Sequence, residues 1–466
     1  MEKNYRQGTH RSCSPAQTLS RIKPFMAEMG ITRIANITGL DHIGIPVVTA
    51  CRPNSRALSV AQGKGIDIES AKASAVMEAM ESYHAEYIEL ALKHASYNEM
   101  LEKHQLIDVT RLQQLSISHY HHDLAMLWVE GFRLDAEQVS RIIVDKVVVD
   151  KVAVDKNVQL SDAWPYTEMC KASSRWVPYD IVHTNYTLPL PSSSGCFMMS
   201  TNGLASGNCI EEAISHAICE LVERDSTSLW QLNGGAEGTK GLMIDLSTVS
   251  DPDCMSVIKK YQQAGISVGV WETTTDIGIS AFYCTIIDRE ARPMRPLYPA
   301  SGAGCHPSRE IALLRALTEA AQTRLTLMSG SRDDTGLDDY EGVQNQQLQN
   351  QVREWLGSES HCRNFSVVTG FDGKNFADDI NWMLKQLQQS GLDEVVVVDI
   401  SKPEFALNVV RVLIPGLEGI ADIPGYHPGL RARELLGELA GTLAGTLAGS
   451  GIKAPLKTTE KKEEVA

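Results

Sequence analysis

The chain contains no apolar run long enough to cross a bilayer, and its opening residues, MEKNYRQGTHRSCSPAQ, lack the apolar centre of a secretion signal. A membrane or secreted protein is therefore not expected, and a cytoplasmic location is. Ten cysteines are present without a C-x-x-C pair or a Cys/His cluster, which argues against zinc and for reduced thiols. Positive charge is also short: 43 Lys and Arg stand against 58 Asp and Glu, for a net −15. That balance excludes nucleic acid or an anionic membrane as the main partner. No G-x-x-x-x-G-K-[ST] run occurs, so a P-loop is absent. His84 and His216 have no Ser or Cys companion that would suggest a nucleophilic triad and read as structural or as supports behind a site's own residues.

What remains is an ordinary globular composition, 43% hydrophobic and 22% charged, in 466 residues that can bury a large core. The pattern reads as a mixture of helices and strands, a mixed α/β chain. Residues 1–14 are polar and expected to be flexible, and 16–29 have helical spacing. Ile45–Val48 and Ala57–Val60 read as short strands, with Pro46 at a strand start or edge. Asp67 is a plausible N-cap for a helix running to about Lys93. The imperfect repeat VDKVV-VDKVA-VDKNV at 144–158 marks a surface insertion near 136–160. Residues 266–288 read as two strands joined by a turn at Thr275-Asp276, and Arg309 to about Leu327 as a helix. Residues 341–366 are Gln-rich with weak helical character; Glu394–Ile400 and Asn408–Ile414 are buried strands. The main domain is expected over 15–430, followed by a low-complexity helical and disordered tail over 431–466.

Two acidic helices carry the chemistry. In the first, Ser74, Glu78 and Glu81 fall at offsets of four and seven and share a stripe, opposite Val76, Met80, Tyr83 and Tyr87. In the second, Glu212, Glu220 and Glu223 align, backed by Ile214, Ile218 and Leu221. Gathered carboxylates repel and raise one another's pKa unless a cation holds them, and Mg2+ suits oxygen donors that leave room for phosphate. Glycine-bearing loops precede both helices, Gly63-Lys64-Gly65 and Gly207-Asn208, and could aim backbone amides at phosphate. The plain alternative is that both stripes are solvent faces. Lys64 could neutralise phosphate or be a solvated charge. Asn208, with Glu211 three residues on, resembles a capping box. Arg224 could reach a γ-phosphate or pair with its acidic neighbours. A third helix presents Arg315, Glu319 and Gln322 in register.

Three blocks resemble the YcaO family of ATP-dependent amide-activating enzymes, over roughly residues 15–430. They are GKGIDIESAKASAVMEAMESYHAEY, STNGLASGNCIEEAISHAICELVERD and GAGCHPSREIALLRALTEAAQTR. The resemblance implies a YcaO-type α/β fold that binds ATP and Mg2+ between helices. By position it implies Glu78, Glu81, Glu212, Glu220 and Glu223 as metal ligands. Lys64, Ser74, Asn208, Arg224, Arg315 and Glu319 would be the ATP contacts, with Arg224 and Arg315 catalytic.

The family's chemistry adds a nucleophile to a backbone amide and phosphorylates the amide oxygen, which then departs as phosphate. Many ring-forming members end in a P-x-P-x-P tail, whereas this chain ends in EKKEEVA. The stretch GITRIANITGLDHIGIPVVTACRPNSRALSVAQGKG and the SRDD at 331–334 look most like stand-alone members that work with a TfuA-type partner. The resemblance therefore points to thioamide formation on a peptide or protein substrate, with a homodimer common for such folds. The alternatives are an azoline-forming cyclodehydratase with a separate substrate-binding protein, or a non-catalytic ATP-binding accessory factor for a sulfur-modifying (methylthiolation) enzyme.

Overall fold

The computed structural model describes residues 1–135, 139, 173–191, 194–238, 242–290, 299–334, 346–357, 362–405, 407–420 and 425–437. The 144–158 repeat lies outside these residues, as do the LAGT run and the charged tail.

Three sheets each feed a long helix. Helix α1 (Pro15–Ile22) precedes an antiparallel sheet of β1 (Arg33–Asn36), β2 (Val47–Cys51) and β3 (Val60–Lys64), and β3 turns directly into α2 (Ile68–Glu86). A six-stranded antiparallel sheet collects β4 (Leu92–Ala95), β5 (Met126–Arg133), β6 (Ser174–Pro178), β7 (Leu204–Gly207), β13 (Val396–Asp399) and β14 (Asn408–Leu413). Its order is β4-β5-β13-β14-β7, with β6 also on β5, and β7 turns into α3 (Ile210–Leu232). A short β8 (Ile244–Asp245) and α4 (Pro252–Gln263) lead to a third sheet, β9 (Ile266–Glu272), β10 (Ala281–Asp288) and β11 (Ala300–Cys305). Here β11 turns into α5 (Arg309–Ser329). Beyond it lie α6 (Gln346–Gly357), β12 (Arg363–Asn364), which pairs in parallel with β8, and α7 (Phe376–Gln389).

The valine-rich strands follow from burial on both faces of the six-stranded sheet. Val396 and Val398 of β13 pack into the core beneath α2, while Val397, with Val410 and Val412 of β14, packs against α3 and α7. A third core joins β9–β11 to α4 and α5.

Glycine sets the distance between each strand and the helix it feeds. A Cβ on Gly63 would lie 2.0 Å from the backbone nitrogen of Ala75, and one on Gly304 2.1 Å from the carbonyl of Ala312. At Gly207 a Cβ would come within 2.6 Å of Ala213 N. Helix backbone thus lies directly on strand backbone in all three units, with alanines on the contact face.

Several local expectations need correction. The first acidic helix ends at Glu86, where Tyr87 leaves helical geometry, and Leu92–Lys93 begins β4 instead of closing the helix. The strand expected at Ala57–Val60 begins only at Val60, because Arg52 N donates to Ser59 O and closes the preceding loop. Helical structure expected over 16–29 stops at Ile22 and continues as a single tight turn over Lys23–Phe25. Asn208 does not cap α3; Cys209 stands at that position. Asp67 does cap α2, accepting from Ser70 N at 2.7 Å.

Residues 1–14, expected to be flexible, pack against the domain. Lys3 is buried and bonds Asp379 Oδ2 at 2.6 Å and Gly373 O at 2.9 Å. Tyr5 and Arg11 exchange backbone hydrogen bonds, so the segment is a hairpin.

Candidate active site

The three helices surround one cavity of about 1130 Å3. Glu78 and Glu81 reach it from α2, Glu212, Glu220, Glu223 and Arg224 from α3, and Arg315, Glu319 and Gln322 from α5. Ser74, Lys64 and Asn208 line it too, so every residue singled out from the sequence faces the same space. The volume exceeds the roughly 300–1000 Å3 of ordinary small-ligand sites, which leaves room for a nucleotide and part of a second substrate.

Burial dominates the electrostatics of the carboxylates. It pushes Glu78 up to about 7, with Arg332, the Gln62 N–H and Lys64 opposing. It pushes Glu81 to about 8, helped by Glu78 and Glu220. Glu223 rises to about 7 through burial and then Glu319, and Glu220 rises through burial against the charges of Arg224 and Arg411. Glu319 is the exception: burial works to raise it, but Lys64, its ion-pair partner, and Arg224 outweigh burial and hold it low.

Each carboxylate is tethered on one side. Glu81 accepts from Ser206, Glu220 from Gly203 N at 3.2 Å and Glu223 from Cys305 N at 3.1 Å. Arg224 sits 3.6 Å from both Glu220 and Glu223, beyond good hydrogen-bond reach, and its buried Nε has no partner. A guanidinium with donors to spare among acids matches a site that admits a further anion.

Three expected residues, Glu212, Asn208 and Arg315, are also engaged with other protein groups. Both oxygens of Glu212 are taken: Oε2 accepts from Ser12 N and Oγ at 3.0 and 2.9 Å, and Oε1 from Asn208 Nδ2 at 3.3 Å. It therefore anchors the N-terminal hairpin while it lines the cavity. Asn208, held also by Thr18 Oγ1 at 3.0 Å, is its brace. Arg315 donates to Cys305 O at 3.1 Å and to His216 Nδ1 at 3.2 Å. Burial first, and then Arg315, lowers His216 well below its ordinary value, so the ring is neutral and accepts. His84, by contrast, is far from this role, bonding Met80 O at 2.8 Å beneath Phe405.

Sequence reasoning missed Arg11, Ser12, Gln62, Ser206 and Arg332. None belongs to a periodic stripe; each arrives through the tertiary fold. Arg11 and Arg332 both line the cavity, Arg332 tied to Asp334 and close enough to Glu78 to stabilise its charge. A buried His10–His306–Asp379 group lies behind Arg315, but the Lys3 ammonium already meets Asp379 there.

The donor set fits a hard divalent cation. Four crowded carboxylates with raised pKa values are relieved by a doubly charged ion, and all the donors are oxygen.

A family model described as YcaO cyclodehydratase, ATP- and Mg2+-binding, matches residues 62–143 and 146–418. A protein of Rhizobium leguminosarum bv. trifolii, named only as an uncharacterized protein in the tfuA 3' region, is 34% identical over 91% of both chains. An uncharacterized protein of Methanothermobacter thermautotrophicus is 30% identical over 87% of this chain and 94% of its own. Among solved structures, a YcaO from Methanopyrus kandleri bound with AMPPCP and Mg2+ superposes with a TM-score of 0.63 at 20% identity, covering 92% of this chain and 99% of that one. A heterocyclase in complex with substrate and cofactor gives a TM-score of 0.70 at 22% identity. That match covers 94% of this chain but only 56% of the heterocyclase. Both likenesses are of fold.

Proposed function

The chain belongs to the YcaO family of ATP- and Mg2+-binding proteins, and on that footing we propose that it activates a peptide backbone amide by phosphorylating its oxygen, with a thioamide as product. The observation that carries the reading is the convergence of Glu78 and Glu81 with Glu220, Glu223 and Arg224 on one cavity, from helices far apart in sequence.

In this reading Glu78, Glu81, Glu220 and Glu223 would hold Mg2+, which supplies positive charge beside the phosphates when bound. Arg224 takes the γ-phosphate with its uncommitted donors. Lys64 and Glu319 form a pair at the phosphate side, and Arg315, oriented by neutral His216, adds a second guanidinium. Ser74 and Asn208 complete the nucleotide wall, Asn208 through its hold on Glu212.

Hydrosulfide adds to the carbonyl carbon, and the resulting oxygen attacks the γ-phosphorus, expelling ADP. Inorganic phosphate then leaves with that oxygen, the sulfur gives up its proton to solvent, and the C=S bond of the thioamide forms. The amide nitrogen keeps its substituents throughout. Positioning and charge stabilisation carry most of such a reaction. The thioamide outcome, and a TfuA-type partner delivering sulfur, draw support from the Rhizobium relative, whose name places it in the tfuA 3' region.

The second reading is azoline formation, favoured by the cyclodehydratase description of the family model. Intact-mass analysis separates the two. Incubation of protein, ATP, Mg2+, sulfide and candidate peptides adds mass by oxygen-to-sulfur exchange in the first case. Loss of water without any need for sulfide marks the second. Glu78→Gln and Glu220→Gln variants that consume ATP as fast as the parent would remove the metal assignment.

A further inference from the structure

Arg411 is a core residue of β14, 2% exposed, and it forms no ion pair among the described residues. Its Nε donates to Ile181 O at 2.8 Å and its Nη2 to Ser200 O at 2.5 Å, while its buried Nη1 has no partner. An unpaired guanidinium in a protein interior is costly, and two carbonyls could have been met by neutral donors. A structural clamp alone does not account for the charge.

Its surroundings do. The loop over 199–202 that Arg411 grips lines the cavity. The same strand grips that loop again one residue on, where Val412 N donates to Gly203 O at 2.8 Å. Gly203 sits at φ +76°, and a Cβ there would fall 2.3 Å from Val412 O, so only glycine fits. Held in this way, Gly203 turns its own N–H onto Glu220 Oε2 at 3.2 Å. Glu220 also feels the Arg411 charge directly, second only to Arg224 among the groups that favour its ionised form.

We propose that Arg411 is a positioning residue for Glu220: it fixes the 199–203 loop so that Gly203 orients that carboxylate. The proposal rests on Glu220 as a metal-holding group.

The test uses the full chain with AMP-PNP as the nucleotide and titrates Mg2+, following nucleotide binding, for the parent, Arg411→Lys, Arg411→Met and Gly203→Ala. The three variants are expected to need about tenfold more Mg2+ for half-saturation, the scale of one charge-assisted contact. AMP-PNP affinity at saturating Mg2+ should be nearly unchanged, a split that simple loss of folded protein would not give. If Arg411→Met fails to fold, Arg411→Lys, which keeps the charge but not the fork, carries the result. Parent-like Mg2+ half-saturation in folded Arg411→Lys overturns the proposal. A parent whose AMP-PNP binding ignores Mg2+ overturns the metal reading itself.

Discussion

Glu81 on α2 accepts two hydrogen bonds from a single residue of another sheet, Ser206 on β7, from its N–H at 2.8 Å and its hydroxyl at 2.6 Å. The pair joins the first strand–helix unit to the second at the wall of the cavity. It fixes one oxygen of Glu81 and leaves the other for a ligand. Ser206→Ala removes the shorter bond and leaves the N–H. Nucleotide turnover is expected to fall about tenfold with little change in fold, as for one lost hydrogen bond to a charged group. Steady-state ATP consumption checks this.

Removing a carboxylate should cost far more. Glu78→Gln and Glu220→Gln are expected to lower ATP turnover by about a hundredfold or more, the scale of losing a preorganised group at a developing charge. Thermal unfolding of the variants without Mg2+ should not fall, because a neutral amide suits the buried position better than a crowded carboxylate does.

The raised carboxyls also set a pH dependence. Glu81 lies at about 8 in the folded chain against 4.5 ordinarily, so between those values the native state binds more protons than the unfolded one. Stability without metal then declines as pH rises through that window, and Glu78, at about 7, adds to the decline. Mg2+ acts in the opposite sense, since it engages the deprotonated forms. Melting temperatures at about pH 6 and pH 8, with and without MgCl2, should show a larger Mg2+-induced rise at the higher pH. An equal rise at both would contradict the assignment.

A buried ion pair at the C-terminal end of α2 gives a separate test, of stability. Arg52 meets Glu86 at 2.7 Å, with side chains 5% and 0% exposed, and Ser55 and the Ala57 N–H add to the same carboxylate. Arg52→Met strands the acid and is expected to cost about 3–5 kcal/mol by chemical denaturation. Replacing both partners with apolar residues should cost markedly less.

The glycine contacts predict a packing penalty. Gly63→Ala would set a methyl 2.0 Å from Ala75 N and 2.2 Å from Ala71 O, backbone atoms that cannot swing aside. A loss of about 1–3 kcal/mol is expected, read from the denaturation midpoint.

What the sequence made legible was local. Glu78 and Glu81, or Glu220, Glu223 and Arg224, share a helical face by spacing alone, and Asp67 announces its own cap. The third helix and the strands over 266–288 were equally readable, because each is a run with one clear period. Glu212 shows the limit: its spacing places it in the stripe, yet Ser12, two hundred residues away in sequence, decides what its oxygens do. The N-terminal segment was misread because its polar composition gives no sign of the buried acids, Asp379 and Glu212, that receive it. Nothing in the sequence singles out Arg411 within its valine-rich strand. Its role depends on loops brought in from 181 and 200, for which no spacing rule exists.

Because α2, α3 and α5 each bring only a fraction of the cavity wall, the cavity is complete only where all three strand–helix units meet. A ligand spanning the cavity would touch all three helices at once, and would therefore favour the assembled state over any arrangement in which one unit stands apart.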